Sequence, residues 1–394
     1  MEKSPGQPKV YKETNLHIVF GVTIIAIMGV SSLTPAFPGI SDHFDISPQE
    51  VGLLITFFTL PGVLLTPVFG VLADHHGRKR ILIPLLLLFA VAGTACFFVR
   101  DFTLLLVLRF LQGIGAAPLG SLNVTIIGDN YEGRERSAAM GYNASVLSIG
   151  TASFPVIGGI LASIAWFYPF LLPVIGFGVA LFAYLKLDTP EPKNEQTLKE
   201  YIKSTFAVMK QGSIIGIFGI SVLTFIILYG PYLTYMPFII GETFAQPAYI
   251  IGIIMASSSI ATAITSTQMG RLTDWLTSRK MILISGFFYF VSMALIPFMP
   301  GAWLLIIPAV VFGIAQGINI PSLLNLLTSL TPMEQRAAVM SVNGTIFRIG
   351  QTLGPLAVAP AYAIMGLKGV FLLGAVSSVI LIILAVIFLI GKKY

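Results

Sequence analysis

The sequence predicts an all-α membrane protein with twelve transmembrane helices in two six-helix, pseudo-symmetric halves. Three observations carry this. The 394 residues are 56% hydrophobic and only 10% charged, against about 25% charged in soluble domains. The apolar runs are each about the 20 residues that a helix needs to cross a bilayer. A charged stretch between two such runs, Gly70 to Arg80, recurs as Gly270 to Lys280.

The expected spans are 16–40, 50–73, 81–99, 103–127, 139–164, 166–187, 213–241, 248–268, 281–299, 302–328, 338–365 and 367–391. The first apolar run follows a polar tail and is itself long enough to span, so it reads as a helix and not as a cleavable signal. An even number of spans places both termini on one side. Nineteen of the 23 Lys and Arg then share that side, Arg100 and Lys368 fall on the other, and Arg109 and Arg348 lie within spans. The positive-inside rule makes the termini cytoplasmic and the protein a multi-pass component of the cell membrane. The net charge of +6 is thereby topological, and a nucleic-acid partner is not expected.

The longest polar stretch, 188–211, divides an N-terminal half (1–187) from a C-terminal half (212–394). Leu198 to Lys210 reads either as an amphipathic surface helix or as a solvated linker. The halves repeat beyond the charged stretch. Arg136, Met140, Asn143, Ile149, Gly150 and Pro155 have counterparts 200 positions on, in Arg336, Met340, Asn343, Ile349, Gly350 and Pro355. Gln112-Gly113-Ile114 matches Gln316-Gly317-Ile318 after a small insertion. Two six-helix halves in parallel repeat are the pattern of a secondary transporter, whose substrate site lies between the halves near the bilayer midplane.

Several stretches resemble the major facilitator superfamily. Gly70, Asp74, Gly77, Arg78, Lys79 and Arg80 follow its G-x-x-x-D-x-x-G-R-K-R pattern, with His75 where a cation is usual, and Thr277-Ser278 degrade the second copy. Arg109, Gln112, Gly113, Gly115, Ala116 and Ala117 are similar to its R-x-x-Q-G-x-G-A-A pattern. Gly141, Gly150, Pro155, Gly158 and Gly159 are similar to its antiporter signature, with Phe154 replacing one glycine. Pro35 to Pro38 end span 1 as in the drug:proton antiporter branch. The resemblance implies the superfamily fold, alternating access by rocking of two halves, and export of amphipathic or drug-like molecules coupled to protons. It further implies gating roles for Gly70, Asp74, Gly77, Arg78, Arg80 and Asp274, and a hinge at Gly150 and Pro155.

Polar residues inside spans are the candidate substrate contacts, because such residues face a cavity or another helix and not lipid. Arg109, Gln112 and Asn123 share one face of span 4. Tyr232 and Tyr235 flank the Gly230-Pro231 irregularity of span 7, Asn319 lies in span 10, and Arg348 and Gln351 lie in span 11. Arg348 is about ten residues into its span, roughly 15 Å from the nearer end, and none of the 17 acids lies at that depth. Arg348 is therefore expected to meet water, an anionic group of a substrate, or helix carbonyls. The embedded carboxylate of many cation exporters is missing, so proton coupling would fall to a peripheral group such as Asp42, Asp74, Asp129 or His17, or be absent. The alternative is an organic-anion or lipid-like substrate held by Arg348.

No cofactor or metal is expected. The only close histidine pair, His75-His76, has no cysteine near it, and neither a phosphate-binding loop nor a clustered catalytic set occurs. The expected partners are a small-molecule substrate, protons and the bilayer, with a monomer as the default state.

Overall fold

The computed structural model describes residues 10–189, 212–331 and 336–390. The possible surface helix at Leu198–Lys210 lies outside them. Among the described residues the chain is all-helical, and eleven helices are long and apolar enough to cross a membrane. We number them α1 (Thr14–Phe44), α2 (Pro48–His76), α3 (Arg78–Phe98), α4 (Phe102–Asn130), α5 (Gly133–Ile164), α6 (Tyr168–Lys186), α7 (Gly212–Thr243), α8 (Ala248–Thr267), α9 (Ser278–Phe298) and α10 (Ala302–Ser329). The eleventh stretch, Val342–Leu389, has 48 residues, more than twice the about 20 needed for one crossing. It breaks at Gly366, where φ is 62° and ψ is −153°. A side chain disfavours that backbone, so glycine permits a hairpin with no intervening loop. The parts before and after Gly366 are α11 and α12, giving the twelve expected crossings.

Local chemistry sets the helix boundaries. Ser47 and Glu50 form a reciprocal capping box at the start of α2, with Pro48 in the first turn. Asp101 caps α4 by accepting from the Leu104 N–H at 2.7 Å. In α7, Pro231 removes an amide donor, and Leu228–Tyr235 winds as a π-helix. Thr234 Oγ1 donates to the Tyr229 carbonyl at 2.6 Å and satisfies part of that irregular backbone.

Two apolar clusters fill the molecule. One is built from residues between Val10 and Leu187, joined by Phe238, and the other from residues between Ile214 and Leu389. We call the six helices around each the first and second halves. Hydrogen bonds gather the helix ends of the first half at one face. Asn15 Nδ2 donates to Asn130 Oδ1 at 3.1 Å and to the Asp188 carbonyl at 2.8 Å, joining α1, α4 and the end of α6. Ser213 and Phe388 meet likewise in the second half. This is the terminal face. At the opposite face Phe44, Phe97, Phe102, Trp166 and Phe167 pack in tilted and edge-on pairs, and the Arg100 guanidinium lies 4.1 Å from the centre of the Phe167 ring. An aromatic girdle of this kind suits a membrane–water interface.

Candidate functional site

Contacts between the halves are graded along α2 and α11. At Gly52, near the opposite face, an added Cβ would lie 3.1 Å from Pro355. One to two turns on, Thr56 Oγ1 donates to the Thr352 carbonyl at 3.3 Å, and the Thr59 and Thr352 hydroxyls are 2.9 Å apart. Further on, a Cβ on Gly62 would meet the Arg348 stem at 3.0 Å. Past that level the helices diverge: Gly70 and Gly344 have no neighbour within 4 Å of an added Cβ.

The α5–α8 pair repeats the gradient. A Cβ on Gly159 would lie 2.5 Å from the Ala248 carbonyl oxygen and one on Gly252 closer still to the Pro155 carbonyl oxygen, while Gly158 presses on the Ser32 backbone within the first half. The Tyr249 N–H donates to Ser163 Oγ at 3.0 Å. Toward the terminal face, Gly141 of α5 and Gly270, just past α8, are again without such neighbours. Small residues let helices approach to backbone contact, the main means of tight packing where lipid removes the hydrophobic drive. The two halves are thus sealed at the opposite face and parted at the terminal face.

Arg348 sits at the level where they part. Its Nη1 donates to Gln351 Oε1 at 3.3 Å and its Nη2 to the Ala117 carbonyl at 3.5 Å, where Pro118 interrupts α4. Of the hydrogen bonds between halves among the described residues, this last one lies nearest the terminal face. Arg348 and Gln351 both remain partly exposed. Among the described residues, only Arg78 forms ion pairs with carboxylates.

Arg109 is placed differently. It is 1% exposed. Its Nε donates to the Leu54 carbonyl at 3.2 Å, Nη1 to Gln112 Oε1 at 2.7 Å and Nη2 to the Gly29 carbonyl at 2.8 Å, while Phe58 lies 4.3 Å beneath the guanidinium. The Gly29 carbonyl is available because the chain tightens before Pro35: the Leu33 N–H turns to Val30 instead. Arg109 therefore clamps α1, α2 and α4. Gln316, the counterpart of Gln112, accepts instead from the Tyr289 hydroxyl of α9.

The asparagines also tie helices. Asn123 Nδ2 donates to Thr23 Oγ1 at 2.7 Å, and Thr23 donates on to Asn143 Oδ1 at 2.5 Å, linking α4, α1 and α5. Asn319 Nδ2 donates to Thr224 Oγ1 at 2.7 Å, linking α10 to α7. The first and fourth helices of each half share one type of tie, although Asn123 and Asn319 are not repeat counterparts. Tyr232 stacks on Phe312 at 4.1 Å, and Tyr235 packs 5.5 Å from Tyr362. Both rings are buried in the second half's core, and neither hydroxyl has a partner among the described residues.

In the charged stretch, Arg78 pairs with Asp74 and also donates from Nε to Asp129 Oδ2 at 3.1 Å. These pairs join the α2–α3 turn to the end of α4, all within the first half. Gly77, at φ 94°, makes the turn, and neither it nor Gly70 meets a neighbour. Arg80 and Asp274 are exposed. Gly150 packs on Ile27, and the Pro155 carbonyl is the group that Gly252 faces.

Thr59, Thr352, Thr23, Tyr289 and Phe225 were not singled out by sequence. A lone hydroxyl in an apolar span is the only signal the threonines offer.

Comparison with known proteins agrees with this architecture. The chain is 26% identical to the bacillibactin exporter of Bacillus subtilis (strain 168), covering 96% of this chain and 97% of that one. It is 24% identical to the multi-drug resistance efflux pump PmrA of Streptococcus pneumoniae, over 91% of each. Among solved structures, the nucleoside transporter NupG superposes with a TM-score of 0.79 at 14% identity, covering 96% of this chain and 99% of that one. A bacterial homolog of the human lysosomal transporter Spinster gives 0.76 at 17% identity, covering 98% and 97%. The profile of the Major Facilitator Superfamily matches residues 19–250 and 232–393, and the chain belongs to that superfamily of membrane transporters.

Proposed function

We propose that the protein exports amphipathic small molecules across the cell membrane by alternating access, with both termini in the cytoplasm and with proton coupling. The observation that carries this reading is the graded seam. The halves meet from Gly52–Pro355 to Gly62–Arg348 and part beyond it, at Gly70 and Gly344. Such a seam suits one of two rocking states, here open to the terminal face. The lysine and arginine bias supports a cytoplasmic terminal face. Two relatives that span nearly the whole chain are named as a bacillibactin exporter and a multi-drug resistance efflux pump.

In this reading Arg348 and Gln351 contact the substrate. Arg109, Gln112, Asn123 and Asn319 hold the helices that carry the cavity, and Tyr232 and Tyr235 back α7. Asp74, Arg78 and Asp129 form a charged switch that changes partners as the terminal face closes, with Gly70, Gly77, Arg80 and Asp274 at the closing surfaces. Gly150 and Pro155 sit where α5 pivots. The proton is carried by a peripheral acid, since the 17 acids include none at mid-depth.

Uptake of a fluorescent amphiphile into inverted membrane vesicles carrying the protein tests the proposal. Uptake driven by an acidic interior and collapsed by a protonophore is expected. Uptake that ignores the protonophore removes proton coupling, and no uptake under any gradient removes export.

A further inference from the structure

The two arginines inside the spans differ in how their N–H donors are used. Arg109 makes three hydrogen bonds of 2.7–3.2 Å and lies on an aromatic ring. Arg348 makes two long contacts, at 3.3 and 3.5 Å, both to neutral acceptors. A guanidinium offers five donors. An unpaired cation at this depth costs about 2.5–3.5 kcal/mol or more, and Arg348 is also partly exposed where the halves part.

Its surroundings suit one kind of guest. The stem runs along Gly62 of α2, so the fork extends past a position with no side chain of its own. The amide N–H₂ of Gln351 has no acceptor among the described residues, while its oxygen faces Arg348. Tyr229 of α7 packs on the same helix that carries Arg348, its Cβ 2.9 Å from where a Cβ on Gly354 would lie. Phe225, itself buried, backs that wall, 6.1 Å from Tyr229 and 4.4 Å from Phe347. A forked cation beside an amide donor matches a planar or trigonal oxyanion, and the rings match an aromatic body.

We infer that Arg348 and Gln351 form the anion-recognition centre of the transport cavity, taking the carboxylate or sulfonate of an aromatic amphiphile whose apolar body lies against Tyr229, with the Phe225 ring supporting that wall from behind. The inference rests on the transporter reading and names its substrate class. Binding needs no gradient, so its test is separate from the export assay.

The test measures binding to the purified full-length protein in detergent by calorimetry. Three probes share one skeleton: naphthalene-2-sulfonate, naphthalene-2-sulfonamide and 2-naphthylmethylammonium. The sulfonate is expected to bind at least about tenfold more tightly than the other two. Arg348→Gln should reduce it to the sulfonamide's affinity, and Phe225→Ala should weaken all three. Equal binding of the three probes, or sulfonate binding unchanged in Arg348→Gln, overturns the inference. Should Arg348→Gln fail to fold, the ranking on the parent protein decides. A preserved sulfonate preference with no vesicle transport would sink export while leaving the anion site standing.

Discussion

The hydroxyls of Thr59 and Thr352 lie 2.9 Å apart and join the two halves at mid-depth. They belong to α2 and α11, and one turn further toward the terminal face the same pair of helices meets at Gly62 and Arg348. This polar link of the sealed side is thus adjacent to the cation proposed to hold the substrate. Closing one side and ordering that cation involve the same two helices.

Thr352→Val keeps the side chain's shape but removes this link. Interhelical hydrogen bonds in membranes are worth about 0.6 kcal/mol on average and up to about 1.7. The population open to the opposite face should rise about 3- to 20-fold. Single cysteines introduced near Ser163 would report it by their labelling rate. Cys96, the one native cysteine, is buried, so background labelling should be slow.

Gly159→Leu should prevent the state seen here. A Cβ at that position already reaches the Ala248 carbonyl, and a larger side chain must push α5 from α8. Transport should fall to background while the protein still purifies as a monodisperse species. Increased labelling at the opposite face would identify the cause as failure to seal; unchanged labelling with normal transport would remove the role assigned to this contact.

Arg109→Ala should act on stability before function. It deletes three hydrogen bonds and leaves the carbonyls of Gly29 and Leu54 without that donor. A loss of about 2–4 kcal/mol is expected, read as a lower thermal midpoint in detergent. Arg109→Lys should rescue little of it, because an ammonium cannot reach three acceptors in a fork. A stable Arg109→Ala protein with a weakened substrate affinity would move Arg109 from framework to substrate contact.

Arg78→Ala should show the reverse pattern. The pairs of Arg78 with Asp74 and Asp129 are partly exposed, and such pairs contribute about 0–1 kcal/mol. The thermal midpoint should barely move, whereas turnover in vesicles should fall at least about tenfold if these charges exchange partners during the cycle. Normal turnover would make the triplet Arg78, Lys79 and Arg80 a topological anchor only.

The span count, the repeat and the side-by-side charge bias were legible in the sequence because the bilayer imposes them residue by residue. A crossing needs about 20 apolar residues, and an ionisable side chain is tolerated at few depths. The same constraint made Arg348 conspicuous, since no acid accompanies it at its depth. It could not separate Arg348 from Arg109, which is the same residue type, also within a span and also next to a glutamine. Their difference arises from which backbone carbonyls come within reach. The Gly29 carbonyl is released by a turn 80 residues from Arg109, and only the packing of α1 against α4 brings the two together. Likewise, a glycine in a span predicts close approach somewhere. The tertiary structure alone decides that Gly158, Gly159 and Gly252 are pressed against backbone while Gly70, Gly141 and Gly344 stand free. Sequence therefore determined the number and place of the membrane-spanning helices, through the local cost of burying charge and backbone in lipid. Tertiary packing decided which arginine is a clamp, which is left partly exposed, and which face of the protein is sealed, because these depend on distances between helices far apart in the chain.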